Sequence, residues 1–288
     1  MKMNRKTKGI ICIIASAFCF ALMNMFVRLA GDLPSVQKSF FRNAVAVIVA
    51  AVTLMRTEEK FKLNKNNLPE LIARSVFGTI GILCNFYAID HLVLSDASML
   101  NKLSPFFAVI FSFIILKEKV RPFQALAVIT AFVGALFIIK PTSISASLPS
   151  IIGMIGGAGA GMAYTMVRKL SIKGERGPFI VFFFSAFSCL VTAPYLIFNY
   201  HPMELWQLMA LIGAGIAATG GQFTITAAYS YAPAREISVF DYTQIVFAAM
   251  LGFFVFGDLP DVYSVIGYVI ICSVSVAMFF YNHKELTR

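Results

Sequence analysis

Residues 9–30 read GIICIIASAFCFALMNMFVRLA, and this stretch decides the class of the protein. It holds a single ionisable side chain, Arg28. At about 1.5 Å per residue, a helix of about 20 such residues crosses the roughly 30 Å apolar layer of a bilayer. A secretory leader also places basic residues before an apolar run, as Lys2 to Lys8 do here, but its apolar part spans only about 7–15 residues. The run is therefore expected to be retained as the first span. Runs of the same kind recur at 36–55, 71–89, 97–116, 123–139, 151–167, 179–198, 206–231, 237–256 and 263–281. Ten crossings use most of the 288 residues, and the longest connection, 56–70, is too short to fold by itself. Composition agrees, with 59% hydrophobic residues, 29 Phe and only 13% charged residues. Soluble domains carry roughly 25% charged residues because their surface faces water. The expected fold class is an all-α polytopic membrane protein.

The charges lie between the runs. Lys and Arg number 24 against 14 Asp and Glu, a net of +10. A nucleic-acid binder would gather its cations on one soluble face; here they mark topology, and no nucleic-acid partner is expected. With the N-terminus placed in the cytoplasm, nineteen of them fall in cytoplasmic segments, Arg56, Arg74, Lys169, Lys173 and Arg176 among them. Only Lys38 and Lys140 fall in outside loops, and Arg28, Arg42 and Lys102 fall within spans. The positive-inside rule then puts both termini in the cytoplasm and the chain in the cytoplasmic membrane as a multi-pass protein. The five cysteines, Cys12, Cys19, Cys84, Cys189 and Cys272, sit in apolar runs without a CxxC pair, so neither a disulfide framework nor a metal site is indicated.

The chain repeats itself at a shift of 140 residues. Val27-Arg28 meets Val167-Arg168, Gly81 meets Gly221, Ala88 meets Ala228 and Ser98 meets Ser238. Phe107-Ala108 meets Phe247-Ala248, Phe113 meets Phe253, and Glu118 meets Asp258. One ungapped register across several spans divides the chain into halves, 1–140 and 141–288. Each half has five spans, an odd number, so the second half enters the membrane inverted. A five-plus-five inverted-topology repeat is the architecture of many secondary transporters, whose solute sits near the midplane between the halves.

From Tyr87 to Phe107 the chain reads YAIDHLVLSDASMLNKLSPFF, followed by Glu118 in KEK, Gln124 and Gly134. This pattern resembles the EamA repeat of the drug/metabolite transporter superfamily. In that repeat a Tyr-Ala closes the third helix, an Ala-Ser opens the fourth, a Pro-Phe kinks it and a Glu precedes the fifth. The corresponding residues here are Tyr87-Ala88, Ala97-Ser98, Pro105-Phe106 and Glu118. The second copy, AAYSYAPAREISVFDYTQIVF, departs from it, with Ile245 opposite Pro105 and Asp258 opposite Glu118. Many members also open with Trp-Gly in the first helix, where this chain has Ala21-Leu22-Met23-Asn24. Within the family it looks most like the solute-carrier-35-like and S-adenosylmethionine-carrier-like group. The resemblance implies a ten-helix carrier of organic metabolites; family membership alone names no solute.

Ionisable side chains in the membrane cost about 2.5–3.5 kcal/mol on insertion scales, which makes them candidates for function. Arg28, Arg42 and Lys102 fall at a similar depth on three spans of the first half and together suit a carboxylate or phosphate. Arg28 and Lys102 are equally open to snorkelling, or to pairing with Asp90 and Asp96. Asp241, at the repeat position of Asn101, is the candidate coupling carboxylate; it can instead pair with Arg235 or cap its helix. A direct Lys102–Asp241 pair is not expected, since helix rise places the two roughly 12 Å or more apart in depth. Asn24, Asn85, Tyr87, Asn101, Tyr164, Gln222 and Tyr229 complete a candidate wall, because an amide facing lipid is costly. Gly153, Gly157 and Gly161, and likewise Gly213, Ala217 and Gly221, allow close helix approach or sliding. Pro105 and Pro194 are expected to bend spans 4 and 7.

The three histidines, His91, His201 and His283, lie in loops or the tail, so a membrane-embedded enzyme lacks its catalytic parts. A channel would want a ring of one residue type from several spans. There is no GxxxxGK[ST], so transport is expected to be secondary, with no cofactor. The charge grouping favours a small anionic or zwitterionic organic metabolite carried by alternating access. A cationic or aromatic drug-like solute on Asp241 and the tyrosines is the alternative. The expected partners are that solute and the lipid bilayer, and no residue pattern speaks for a homodimer.

Overall fold

The computed structural model describes residues 5–117, 121–140, 144–231 and 238–284, with no strand among them. Helices α1 (Arg5–Leu29), α2 (Ser35–Met55) and α3 (Leu68–His91) are continuous. The fourth span is broken into α4 (Leu94–Asn101) and α5 (Ser104–Leu116). Then come α6 (Pro122–Ile139), α7 (Ile144–Ile172), α8 (Gly177–Phe198) and α9 (Leu205–Tyr231). The ninth span is a 3₁₀ turn (Ser238–Tyr242), α10 (Thr243–Leu251) and a π turn (Gly252–Phe256), and α11 (Val262–Lys284) is the tenth. Among the described residues nine helices are long and apolar enough to cross a membrane, and the ninth span, Phe240–Phe256, is shorter. Lipid offers the backbone no hydrogen-bond partner, which is why apolar runs become helices and why non-helical turns are confined to the protein interior.

Burial is arranged for lipid. Leu190, Phe254 and Phe198 are 73%, 75% and 82% exposed, whereas Lys38 and Arg42 are 0% and 1% exposed. The polar side chains occupy the inside because the outside is hydrocarbon.

Helix α1 packs against α9, α3 against α7, α2 against α8 and α6 against α11. Helix α7 also packs on α4 and α5, and α1 packs on α10 and the 3₁₀ turn before it. Exchanging the halves in the register of 140 residues converts each of these contacts into another or into itself. Lys38, read from sequence as a loop cation, lies instead inside α2 with its ammonium 2.6 Å from Asp90 Oδ1. Glu70 accepts from Lys169 and Lys173 at 3.0 and 2.8 Å, and Arg176 Nε lies 3.0 Å from Glu59, tying the 59–70 region to the end of α7 and the start of α8.

At the opposite end Arg28 pairs with Asp258, not with Asp90 or Asp96. Asp258 also accepts from the Leu94 amide at the start of α4, and the Phe256 ring lies 4.5 Å beneath the Arg28 guanidinium. One carboxylate thus joins the end of the ninth span to α1 and α4. Asp258→Asn is expected to cost about 1–2 kcal/mol, the lower range for bonds between charged groups, because the pair is partly exposed. Unfolding of the variant in detergent measures this, and an unchanged midpoint would mark the pair as a surface contact without structural weight.

Candidate functional site

The two helix breaks face each other. In the fourth span Pro105 has no N–H to give, and the chain tightens around it. Leu103 N donates to Leu100 O and Phe106 N to Leu103 O, three residues back rather than four. In the ninth span there is no proline; Thr243 Oγ1 donates to Phe240 O at 2.7 Å, a side chain competing for a helix carbonyl. Lys102 closes α4 and Asp241 lies in the 3₁₀ turn. Lys102 Nζ donates to Asp241 Oδ2 at 2.5 Å, and Tyr242 Oη donates to Lys102 O at 3.1 Å. The sequence arithmetic disfavoured this pair because it counted depth from residue 97, whereas α4 begins at Leu94 and sets Lys102 about one turn deeper. The long lysine stem covers the rest. Arg235 and Glu118, both singled out from sequence, lie outside the described residues.

Beside the breaks lies a cavity walled by both chain halves. Helix α1 contributes Phe20 and Asn24, α2 Arg42, α3 Arg74, Gly78 and Asn85, and the first break Asn101 and Lys102. Helix α7 contributes Tyr164, α8 Phe184, α9 Gln222 and α10 Gln244. Seven of the residues singled out from sequence therefore share one wall: Asn24, Arg42, Asn85, Asn101, Lys102, Tyr164 and Gln222. The three-cation group of Arg28, Arg42 and Lys102 does not form, because Arg28 is held at the bundle end by Asp258. Tyr87 is not on the wall; its ring stacks on His91 with centroids 4.2 Å apart. The side chain of Tyr229 lies outside the described residues.

Arg74 takes the place of Arg28. It was read as a topology-marking charge beside the 56–70 loop, yet it is 5% exposed and its guanidinium lies 3.8 Å from the centre of the Phe184 ring. Room for it comes from Gly78, one turn on, where any Cβ would collide with Arg74 Nη1 and the Phe184 ring. The glycine at i+4 of a buried arginine was the available signal. Gln244 and Phe184 were also missed; each is one polar or aromatic residue among many, and nothing local distinguishes it.

The wall has unspent hydrogen-bonding capacity. Asn24 Nδ2 donates to Ser98 Oγ at 3.3 Å, while Asn24 Oδ1 and Asn85 Oδ1 have no partner among the described residues. Arg42 donates through Nη1 to Asn43, which is fixed in turn by Ser39 and Ser188, but Arg42 Nε and Arg74 Nε have none among the described residues. Buried polar groups are nearly always bonded, so orphans gathered on one wall mark a place for a polar guest. Among the described residues no carboxylate pairs with Arg42 or Arg74, and Lys102 is balanced by Asp241. The site carries a surplus of two positive charges. Among the described residues no three His, Cys, Asp or Glu side chains converge as a metal would require.

The sequence matches the EamA-like transporter family over residues 7–140 and again over 148–280. It is 31% identical over 273 residues to the pseudopaline exporter CntI of Pseudomonas aeruginosa, covering 94% of this chain and 95% of that protein. Human solute carrier family 35 member G1 is 27% identical, over 93% of this chain and 78% of that protein. A riboflavin transporter of Brucella anthropi is 26% identical, over 86% and 90%. A solved crystal structure superposes with a TM-score of 0.67 over 98% of this chain and 99% of its own, at 14% identity, which speaks to the fold alone.

Proposed function

The chain belongs to the EamA-like transporter family, and from that membership we propose a secondary carrier that moves a small anionic or zwitterionic metabolite by alternating access. That it is a multi-pass small-molecule transporter and not an enzyme follows from the family. The observation that carries the charge assignment is the pair of buried guanidiniums, Arg42 and Arg74, on one cavity wall with no carboxylate among the described residues to neutralise them. Two uncompensated buried charges cost about 5–7 kcal/mol on insertion scales. An anion in the cavity relieves that cost, and guanidinium groups suit carboxylates and phosphates through paired hydrogen bonds.

Alternating access is supported by the exchange relation between contacts and by the facing helix breaks, since carriers of this kind bind solute where discontinuous helices of two repeats meet. We assign residues 1–140 and 141–288 to the two inverted repeats and both termini to the cytoplasm, on the match of the family to each half and the bias of Lys and Arg between loops. Relatives named for pseudopaline export and riboflavin transport fit a metabolite as solute. A cationic solute bound by Asp241 has less support, because Lys102 already occupies that carboxylate.

Thermal unfolding of the purified protein against small anions, zwitterions and cations tests the assignment. A ligand at about 100 times its dissociation constant adds about 2.7 kcal/mol of stability. Anions or zwitterions are expected to produce the shift, and Arg42→Ala or Arg74→Ala to weaken binding by about 10- to 100-fold. Stabilisation by cations alone, lost in an Asp241 variant, would overturn the charge assignment. Saturable solute exchange across proteoliposomes separates a carrier from a channel.

A further inference from the structure

The structure assigns the Lys102–Asp241 pair a second role: it is the protein's own occupant of a subsite for a solute that carries an ammonium group beside its carboxylates. This rests on the anion-binding reading of the cavity and narrows it. Lys102 is on the wall, and among the described residues Asp241 is the one carboxylate bonded to it. Asp241 is 7% exposed in the pair, and a solute carboxylate that draws the Lys102 ammonium away leaves its charge uncompensated. Its Oδ1 has no hydrogen-bond partner among the described residues. A stranded buried carboxylate is strongly unfavourable. A solute with no positive charge offers nothing to correct this, whereas an ammonium on the same solute takes the place of Lys102. One internal ion pair is then exchanged for two between solute and protein, and no proton is gained or lost.

The same exchange reaches the fold. The pair joins the broken fourth span of one half to the broken ninth span of the other. A solute that inserts between Lys102 and Asp241 loosens that joint and leaves the Tyr242–Lys102 hydrogen bond and the apolar packing of Leu103 with Tyr242 and Ile245 to hold the breaks together. Differential contact of this kind is what a ligand needs to shift a conformational equilibrium.

Matched probes that differ only by an ammonium test the assignment: glutarate against glutamate, and adipate against 2-aminoadipate, with dissociation constants measured on the full-length protein. The amino compound is expected to bind about tenfold more tightly or better in each pair, the gain of one charge-assisted bond. In Asp241→Asn that advantage is expected to disappear. Lys102→Met/Asp241→Asn, which removes both charges together, provides the same readout should the single variant fold poorly. Equal affinities within each pair, or an advantage that survives both variants, overturn the inference while leaving the anion site in place. So does binding of glutarate as tight as that of glutamate with uptake of one proton, which makes Asp241 a proton site instead. If no dicarboxylate binds with or without an amine, the anion reading fails and this inference falls with it.

Discussion

Lys102→Met or Asp241→Asn alone is expected to destabilise the protein by about 3–5 kcal/mol, and the double variant by far less than the sum. Each substitution leaves one charge behind in a place where neither side chain reaches water freely; their side chains are 5% and 9% exposed. Removing one partner of a buried pair strands the other, whereas replacing both with groups of similar volume is often neutral or stabilising by about 1–4 kcal/mol. A double-mutant cycle read by denaturant unfolding in detergent therefore should show a large coupling energy, since the residues share one bond. Near-additive losses would mean that other groups hold each residue and that the joint between the helix breaks carries no energy. None of the three variants removes the Tyr242 hydroxyl or the Lys102 carbonyl that accepts from it, so the cycle is expected to isolate the ionic part of the joint.

The spans were readable because hydrophobic length answers to bilayer thickness, and the polar wall because an amide in an apolar run has few affordable places to be. Asn24, Asn85, Asn101 and Gln222 all reached the cavity for that reason. Charged residues were read less well. Arg28 and Arg42 look alike in sequence, one ionisable group in an apolar run, yet one meets Asp258 from the other half and the other meets the cavity. Only the lateral packing of α1 and α2 distinguishes them. Arg74 was hidden by its position near a basic loop, where a lysine or arginine ordinarily marks topology. Lys38 was hidden in the same way by its nearness to a loop, and its partner Asp90 sits on a different helix. Depth arithmetic failed for Lys102 and Asp241 because it began the fourth span at residue 97, whereas α4 starts at Leu94 and sets Lys102 about one turn deeper, and because it left out the reach of the lysine side chain.

The glycine stripe of α7 supplies the second large effect. Gly157 and Gly161 face the fourth span at and around its break, and Gly153 meets both Ala88 of α3 and Leu100 of α4. A Cβ at Gly157 would sit 2.6 Å from Leu100 O, and one at Gly161 2.7 Å from Ser104 O and from Phe107 Cβ. Carbonyl oxygens fixed in a backbone turn cannot step aside as a side chain can. Gly157→Ala and Gly161→Ala are therefore expected to lose about 1–3 kcal/mol or more through overpacking, in spite of alanine's advantage of about 1 kcal/mol in a helix interior. Gly220→Ala is the control: its nearest neighbour is the Cys19 Sγ at 3.3 Å, so it should be close to neutral. Comparison of solute affinity with transport rate then separates two uses of the stripe. If it only fixes packing, both should fall together, because Ala160, Ala163 and Tyr164 ride on the same helix and line the cavity. If α7 slides along the break as the cavity opens from one side to the other, transport should fall much further than affinity. The added methyl then catches on Leu100 and Ser104 in passage more than at rest.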